Sequence, residues 1–333
     1  MPTIKDVAKL ADVSIGTVSR YMNGYKIKEE NRQRIEEAIE SLDFKLNPMA
    51  RGLRTNKTFT VGVLIPRITD IFCTQVIEGI EEVLNPLNYG IVVCSANDNL
   101  QLQTEKLNYL KDKYVDGIIV MPVSSSDFNA EEVVDGNTPI VLIDRLVKNF
   151  EMDAVISDNI NGSYSAVEMI INKGHRKIGI IAGPQEIFTA QERLTGYLRA
   201  HKDFNIEVNE NYIVHSSYTK EGGMEAIKKL LDLSDPPTVI FTTNYPTTVN
   251  SMKVLLERGL KIGQEVSLCG YDQTDLFQMF HPPLSVVVQP SREIGINAAE
   301  ILLKRMKNDQ SRFPEIRRLK TQLISTKSVK TLL

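Results

Sequence analysis

The chain lacks most features of a membrane protein or a disulfide-rich secreted protein. Only three of its 333 residues are cysteine, and Cys73, Cys94 and Cys269 are far apart with no C-x-x-C pair. We therefore expect reduced, buried thiols. No apolar run approaches the roughly 18 residues that a membrane helix requires. No signal peptide precedes the first predicted helix, so we expect a cytoplasmic protein without a membrane partner.

Motifs for catalysis are also missing from the sequence. The four histidines have no metal-ligand spacing such as H-E-x-x-H. There is no G-x-S-x-G elbow, no Walker A motif and no G-x-G-x-x-G fingerprint. We expect no catalytic residue, no metal and no cofactor. The enzyme alternative, a doubly wound dehydrogenase or sugar-converting enzyme, lacks its cofactor fingerprint.

The chain does have an uneven distribution of charge. Its length suggests two or three domains, and its 42% hydrophobic and 24% charged residues are ordinary for a globular protein. Residues 1–57 hold 11 Lys and Arg against 8 Asp and Glu, a net charge of +3, whereas the remainder carries −6. A basic end on an acidic body suits nucleic-acid contact at that end, although a solvated surface would look the same.

Residues 3–23 have the pattern of two short helices joined by a tight turn. Thr3 and Asp6 have the spacing of a capping box, so a helix should begin just after Thr3. Ser14 is a good N-cap for a second helix over residues 15–22, in which Val18 and Met22 would pack inward. Two such helices form a helix-turn-helix, whose second helix enters the DNA major groove. A third helix is predicted over residues 29–41. The outward positions of the second helix and its end are Gly16, Thr17, Arg20 and Asn23.

These residues resemble the LacI-GalR family of bacterial transcription repressors. IKDVAKLADVS followed by TVSRYMNG is close to the amino-terminal signature of that family. The alternative is a capped helical hairpin in an unrelated core. The resemblance implies an all-α helix-turn-helix domain over residues 1–46. Ile15 and Gly16 stand where other members carry larger polar base readers, so the operator sequence cannot be borrowed. The implied DNA-binding residues are Thr3, Ser14, Ile15, Gly16, Thr17, Ser19, Arg20 and Asn23.

Residues 47–59 are predicted to form a hinge helix and linker. Asn47 is a candidate N-cap and Pro48 stands at the first helical position, but the segment is too short to be a stable helix alone. From composition, a plain linker is the alternative. NPMARGLR resembles the hinge helix of the family. The resemblance implies that Leu53 is an apolar wedge in the minor groove, with Arg51 and Arg54 near backbone phosphates.

From residue 60 onward, apolar runs alternate with helical stretches. Runs such as VGVLIP, GIIVMP and PIVLID are typical of strands buried on both faces. The alternation predicts an α/β fold with doubly wound parallel sheets in two lobes. Blocks such as VLIDR, GHRKIGIIAGP and HPPLSVVVQP extend the resemblance and imply a periplasmic-binding-protein-like domain over residues 60–333. Its N-lobe would comprise residues 60–158 and 290–318, and its C-lobe residues 159–289 and 319–333.

The candidate effector site lies where parallel strands end, because doubly wound sheets bind ligands beyond the carboxyl ends of their strands. The Arg193 guanidinium offers a planar fork of donors, and the Asp272 carboxylate can accept two hydroxyl hydrogen bonds. The resemblance assigns both to the effector pocket and places Phe72 on its wall. A surface arginine, a helix N-cap and core packing are the respective alternatives. Further candidates, with capping or structural roles as the alternative, are Asp144, Asp158 and Asn244.

We therefore expect a ligand-responsive transcriptional repressor that binds a pseudo-palindromic operator in double-stranded DNA as a homodimer. Its effector would be a sugar, sugar acid or sugar phosphate in the cleft between the lobes. Asn244 is followed by Tyr245 and Pro246 where the family often has Asn-Asp, which puts a familiar effector in doubt. The alternatives are a global regulator controlled by a protein partner and a solute-binding protein for transport.

Overall fold

The computed structural model describes residues 2–22, 25–44, 57–125, 138–148, 150–272 and 275–332. The chain divides into two compact units, Met1–Thr58 and Phe59–Leu333. Within the described ranges, no helix is both long enough and apolar enough to cross a membrane.

The described residues of the first unit form three short helices around a small apolar core. They are α1 (Ile4–Leu10), α2 (Ile15–Met22) and α3 (Glu29–Ser41), which confirms the predicted boundaries. The Asp6 carboxylate accepts hydrogen bonds from the Thr3 backbone N–H at 2.8 Å and the Thr3 hydroxyl at 2.7 Å. These bonds lower the pKa of Asp6 and fix the start of α1. The core consists of Val7, Ala8, Ala11, Val18, Ile35 and Ala38, with Met22 packed against it.

In the described part of the second unit, the strands form two six-stranded sheets. The first has the order β2-β1-β3-β4-β5-β11, and all of its strand pairs are parallel. The residue ranges of its strands are β1 (Thr60–Ile65), β2 (Gly90–Ser95), β3 (Gly117–Val120), β4 (Ile140–Ile143), β5 (Asp153–Ser157) and β11 (Ile316–Leu319).

The second sheet repeats this arrangement with one antiparallel edge. Its order is β7-β6-β8-β9-β10-β12, and only the β10–β12 pair is antiparallel among the described strands. We call the halves built on the two sheets the first lobe and the second lobe. The ranges are β6 (Ile178–Ala182), β7 (Ile213–His215), β8 (Val239–Thr242), β9 (Ser267–Tyr271), β10 (Ser285–Val288) and β12 (Gln322–Ile324).

Helices connect the strands of both lobes, as the alternating pattern predicts. Each sheet has buried apolar clusters formed by its strands and adjacent helices, so the interior of each lobe is a separate core. The predicted fold class is therefore confirmed. Among the residues that the structure describes, the helices of this unit are α4 (Ile71–Leu84), α5 (Leu100–Asp112), α6 (Asn159–Asn172), α7 (Phe188–Asp203), α8 (Lys220–Leu231), α9 (Tyr245–Glu257), α10 (Asp275–Met279) and α11 (Ser291–Arg305).

Some strands escape identification from apolar runs. β7 has only three residues, and β11 is a half-exposed edge strand with the sequence IRRL. β5 is fully buried, yet it begins with the charged residue Asp153. Asp153 can be buried there because Arg305 donates two hydrogen bonds to it, at 2.7 and 2.8 Å. Long-range pairing thus permits a strand that the local pattern does not indicate.

Candidate functional site

The second helix of the first unit presents a polar surface. The Ser14 hydroxyl accepts a hydrogen bond from the Thr17 backbone N–H at 3.1 Å and therefore caps α2 as predicted. Gly16 and Arg20 are exposed, and Ile15 has 47% of its surface exposed. The face of α2 that carries Arg20 is thus accessible to a partner.

The opposite side of α2 is held against α3. Val18 is fully buried, and the Tyr21 hydroxyl donates a 2.8 Å hydrogen bond to Glu36 of α3. Glu36 also accepts from Arg32 at 2.9 Å. These contacts fix the rotation of α2, so the same residues always face outward. Four predicted DNA-binding residues lie outside the described residues, namely Asn23, Arg51, Leu53 and Arg54.

In the second unit, a cavity of about 580 Å³ lies where the two lobes meet. The first lobe contributes residues from the start of α4, and the second lobe contributes the residues that follow β9 and the start of α9. This is the strand-end position that doubly wound sheets use for ligands. The lining residues are Ile71, Phe72, Gln75, Tyr245, Asp272, Asp275, Leu276, Val288, Gln289 and Ser291.

Asp272 is held at the cavity wall by two neutral donors. Its carboxylate accepts hydrogen bonds from Gln289 Nε2 at 2.7 Å and from the Tyr245 backbone N–H at 3.1 Å. Burial raises the pKa of this carboxyl above its ordinary value, against the opposing effect of Arg193. The geometry orients both carboxylate oxygens and leaves lone pairs that can accept from a ligand.

Asp144 occupies the equivalent position in the first lobe. Asp144 follows β4 with a φ of 65°, and Asp272 follows β9 with a φ of 67°. Each donates its backbone N–H to the adjacent strand, Asp144 to Val155 at 2.9 Å and Asp272 to Val287 at 2.8 Å. Aspartate tolerates this left-handed conformation better than most residues. The two lobes therefore turn one carboxylate each toward their shared cleft.

Asp70 is a third carboxylate at the cleft, and the sequence analysis does not single it out. It is the N-cap of α4 and accepts a hydrogen bond from the Phe72 backbone N–H at 3.0 Å. Burial, together with the nearby charges of Asp272 and Asp144, raises the pKa of Asp70 to about 6. The carboxylates of Asp272 and Asp144 are therefore close enough to Asp70 to disfavour its charged form.

Arg193 lies inside helix α7. Only 4% of its surface is exposed. Its Nε donates to Asn159 at 2.9 Å, one terminal nitrogen donates to the Thr243 carbonyl at 2.6 Å, and the guanidinium stacks 3.9 Å from the centre of the Tyr271 ring. Burial alone would lower the pKa of Arg193, but its interactions with the Tyr271 and Tyr218 side chains and with the carboxylates of Asp272 and Asp144 raise that pKa above its ordinary value, so the residue stays charged.

Comparison with known proteins decides the family. Residues 3–47 match the bacterial regulatory proteins of the lacI family, and residues 167–329 match the periplasmic binding protein-like domain. The chain is 32% identical over 337 residues to the HTH-type transcriptional repressor PurR of Vibrio atlanticus, with 100% of both chains covered. The chain belongs to the LacI family of bacterial regulatory proteins. The expectation of a DNA-binding transcriptional repressor, and not an enzyme, is thereby confirmed.

Two further proteins to which the chain is similar have a sugar in their names. The chain is 33% identical over 314 residues to the ribose operon repressor of Haemophilus influenzae, with 94% of each chain covered. A solved structure of the transcriptional regulator CelR–cellobiose complex is similar with a TM-score of 0.75 and 26% identity. That similarity covers 98% of this chain and 100% of the other.

The structure separates the predicted effector residues of this LacI-family repressor into three groups. Phe72 and Asp272 line the cavity. Arg193 and Asp144 interact electrostatically with Asp272 behind that wall. Asp158 and Asn244 instead cap helices, since they accept hydrogen bonds from the backbone N–H groups of Asn161 at 3.3 Å and Thr247 at 3.0 Å. Neither of these two is among the described residues that line the cavity.

Contacts between the lobes lie close to this site. Arg318 of β11 in the first lobe pairs with Glu192 of α7 in the second lobe at 2.8 Å. The Ser157 hydroxyl donates to Gln289 Oε1 at 2.7 Å. Gln289 in turn donates to Asp272, so an interlobe contact continues directly into the cavity wall. A ligand at Asp272 would therefore act on residues that also connect the lobes.

Proposed function

We propose that this repressor acts in the cytoplasm as a homodimer and binds a pseudo-palindromic operator through α2. It releases or binds that operator in response to a carbohydrate-type effector in the cleft between the lobes. The observation that carries the proposal is the cavity of about 580 Å³ at the strand ends, in a chain that also has a capped helix-turn-helix. The relatives named for ribose and cellobiose support a carbohydrate effector.

Operator recognition is assigned to the exposed face of α2. Arg20 is exposed on this helix, and no ion pair of Arg20 is found among the described residues. A bidentate arginine–guanine contact in the major groove is a common means of direct readout. We further propose that Leu53 is the minor-groove wedge and that Arg51 and Arg54 contact phosphates, as the family resemblance implies. Half-sites related by two-fold symmetry require a dimeric protein.

Effector control is assigned to the cavity wall. A ligand shifts a conformational equilibrium only through its different affinities for the two states. Asp272 contacts Gln289, which accepts a hydrogen bond from Ser157 of the first lobe. A ligand bonded to Asp272 can therefore favour one arrangement of the lobes over another. A coupling of roughly 1–3 kcal/mol between effector and operator is typical of such systems.

A paired titration tests the proposal. Operator affinity is measured by fluorescence anisotropy on DNA upstream of the gene and its neighbours, with and without members of a sugar panel. The wild type should bind a specific fragment and respond to an effector. Asp272→Ala should bind the same fragment without the response or, if the effector is a corepressor, should fail to bind at ordinary effector concentrations.

The matched control for this titration is Asp112→Ala. Asp112 is an exposed carboxylate at the end of α5 and does not line the cavity. This variant should keep the wild-type response. A coupling factor that is unchanged in Asp272→Ala would remove Asp272 from the effector site. Sedimentation velocity that gives a monomer or a stable tetramer in dilute solution would contradict the proposed dimer.

A further inference from the structure

We infer that the effector is uncharged where it fills the cavity, and is therefore a neutral sugar or polyol and not a sugar acid or sugar phosphate. This inference rests on the proposed effector role of the cavity. It narrows the three classes of effector that the sequence leaves open to one.

The charged side chains among the described residues of the cavity wall are all acidic. The ten described lining residues include two carboxylates, Asp272 and Asp275, and no lysine, arginine or histidine. Gln273 and Thr274, the two residues between these carboxylates in the sequence, are uncharged. The other polar groups of the wall are the amides Gln75 and Gln289 and the hydroxyls of Tyr245 and Ser291. An anionic group in this cavity would therefore face carboxylates without a counter-ion on the wall.

Two arginines that interact electrostatically with the carboxylates of the cleft, Arg193 and Arg145, donate hydrogen bonds to protein acceptors. Arg193 donates to Asn159 and to the Thr243 carbonyl. Arg145 donates from one terminal nitrogen to the carbonyls of Pro122 at 2.8 Å and Val123 at 2.9 Å, and its Nε lies 3.3 Å from Asp144. Both side chains are thus turned toward protein acceptors. Neither arginine is among the described residues that line the cavity, and Arg193 is only 4% exposed, so neither presents its charge at the wall to an anionic ligand.

The carboxylates of Asp70 and Asp272, by contrast, have only neutral hydrogen-bond donors in direct contact among the described residues. Asp70 accepts from the Phe72 backbone N–H, and Asp272 accepts from the Gln289 amide and the Tyr245 backbone N–H. These donors are neutral, and among the described residues neither aspartate has an ion-pair partner within 4.0 Å. Hydroxyl groups can donate to such carboxylates, whereas a phosphate or a second carboxylate is repelled by them.

The remaining walls suit the carbon skeleton of a polyol. Phe72 and Tyr245 supply aromatic surface, and Ile71, Leu276 and Val288 supply aliphatic surface. Ligand sites usually combine such apolar walls with a few oriented polar groups. A neutral sugar has hydroxyls for the carboxylates and amides and C–H faces for the apolar side chains, so it matches both parts of the cavity.

Calorimetric titration of the full-length protein with matched compounds tests the inference. The sets are D-ribose with ribose 5-phosphate, D-glucose with glucuronate and glucose 6-phosphate, and cellobiose with cellobionate. At least one neutral compound should bind, and its anionic partner should bind on the order of tenfold more weakly or worse, because like charges oppose each other in the cavity. A tighter or equal affinity for the anionic partner, or no binding of any neutral compound, would overturn the inference.

Two isosteric variants show whether the cavity charge is responsible. Asp275→Asn removes an exposed carboxylate from the wall and should reduce the difference in affinity between a neutral compound and its anionic counterpart. Gln75→Glu adds a carboxylate on the opposite wall and should widen the difference while leaving the neutral compound bound. If the difference in affinity between neutral and anionic compounds is the same in both variants as in the wild type, the charges of the wall do not select the ligand.

Operator titrations separate this inference from the proposed function. If an anionic compound binds more tightly and changes operator affinity, the inference fails while the effector-controlled repressor stands. If a neutral compound binds selectively without changing operator affinity, the charge selectivity stands and the proposed effector control fails.

Discussion

Removal of the Asp153 carboxylate should destabilise the first lobe strongly. Asp153 and Arg305 form an ion pair whose side chains are only 1% and 3% exposed. Arg305 Nε and one terminal nitrogen donate to the carboxylate at 2.7 and 2.8 Å, and the Glu315 backbone N–H donates at 2.7 Å. The pair therefore joins β5 and α11 and holds the chain that leads into β11.

The expected magnitude follows from this burial. Asp153→Ala leaves the Arg305 charge buried without its counter-ion, and breaking a buried pair from one side costs about 3–5 kcal/mol. One kcal/mol lowers the midpoint of thermal unfolding by roughly 2–4 °C in domains of roughly 150–250 residues. We therefore expect the midpoint of the lobed unit to fall by about 10 °C in Asp153→Ala.

Differential scanning calorimetry and urea unfolding measure this effect. The control is the double variant Asp153→Leu/Arg305→Met, in which both charges are replaced by apolar groups. Its stability should recover much of the loss, because an apolar pair carries no desolvation penalty. The reasoning is refuted if Asp153→Ala unfolds at the wild-type temperature, or if the double variant is less stable than both single variants.

Three further predictions concern the DNA surface, the lobe contact and a titrating carboxylate. Arg20→Ala should lose roughly 1–3 kcal/mol of binding free energy on the operator and little on random DNA. Equal losses on both DNAs in anisotropy titrations would show that Arg20 contacts only phosphate. Glu192→Gln and Arg318→Ala should show a non-additive effect on unfolding free energy in a double-mutant cycle, whereas strict additivity would mean that the pair does not couple the lobes. Because the pKa of Asp70 is raised to about 6, its contribution to stability is lost as the pH rises from about 4 to 6. The free energy of unfolding of Asp70→Asn should therefore exceed that of wild type by up to roughly 3 kcal/mol at pH 7, and this excess should disappear near pH 4. A difference in urea unfolding that does not change with pH would contradict the assignment.

The sequence by itself determined the elements that depend on local interactions. A capping box at Thr3, an N-cap at Ser14 and the inward spacing of Val18 predict the first two helices with correct boundaries. Apolar runs likewise predict buried strands such as β1, β4 and β9, because a strand covered on both faces needs apolar side chains at every position. The strand-end rule also directs attention to Asp272.

Only the tertiary structure decided which side chains meet in the cleft. Asp70 looks like an ordinary helix cap in the sequence, and it becomes part of the site because Asp272 and Asp144 approach it from other strands. Gln289 follows a short strand, yet it connects Ser157 of one lobe to Asp272 of the other. The sequence identifies Arg193 as a candidate site residue, but it does not indicate the contacts that Arg193 makes with Asn159, Thr243 and Tyr271. Such contacts join residues far apart in the chain, and their geometry depends on how the two lobes fold and pack, which local sequence patterns do not record.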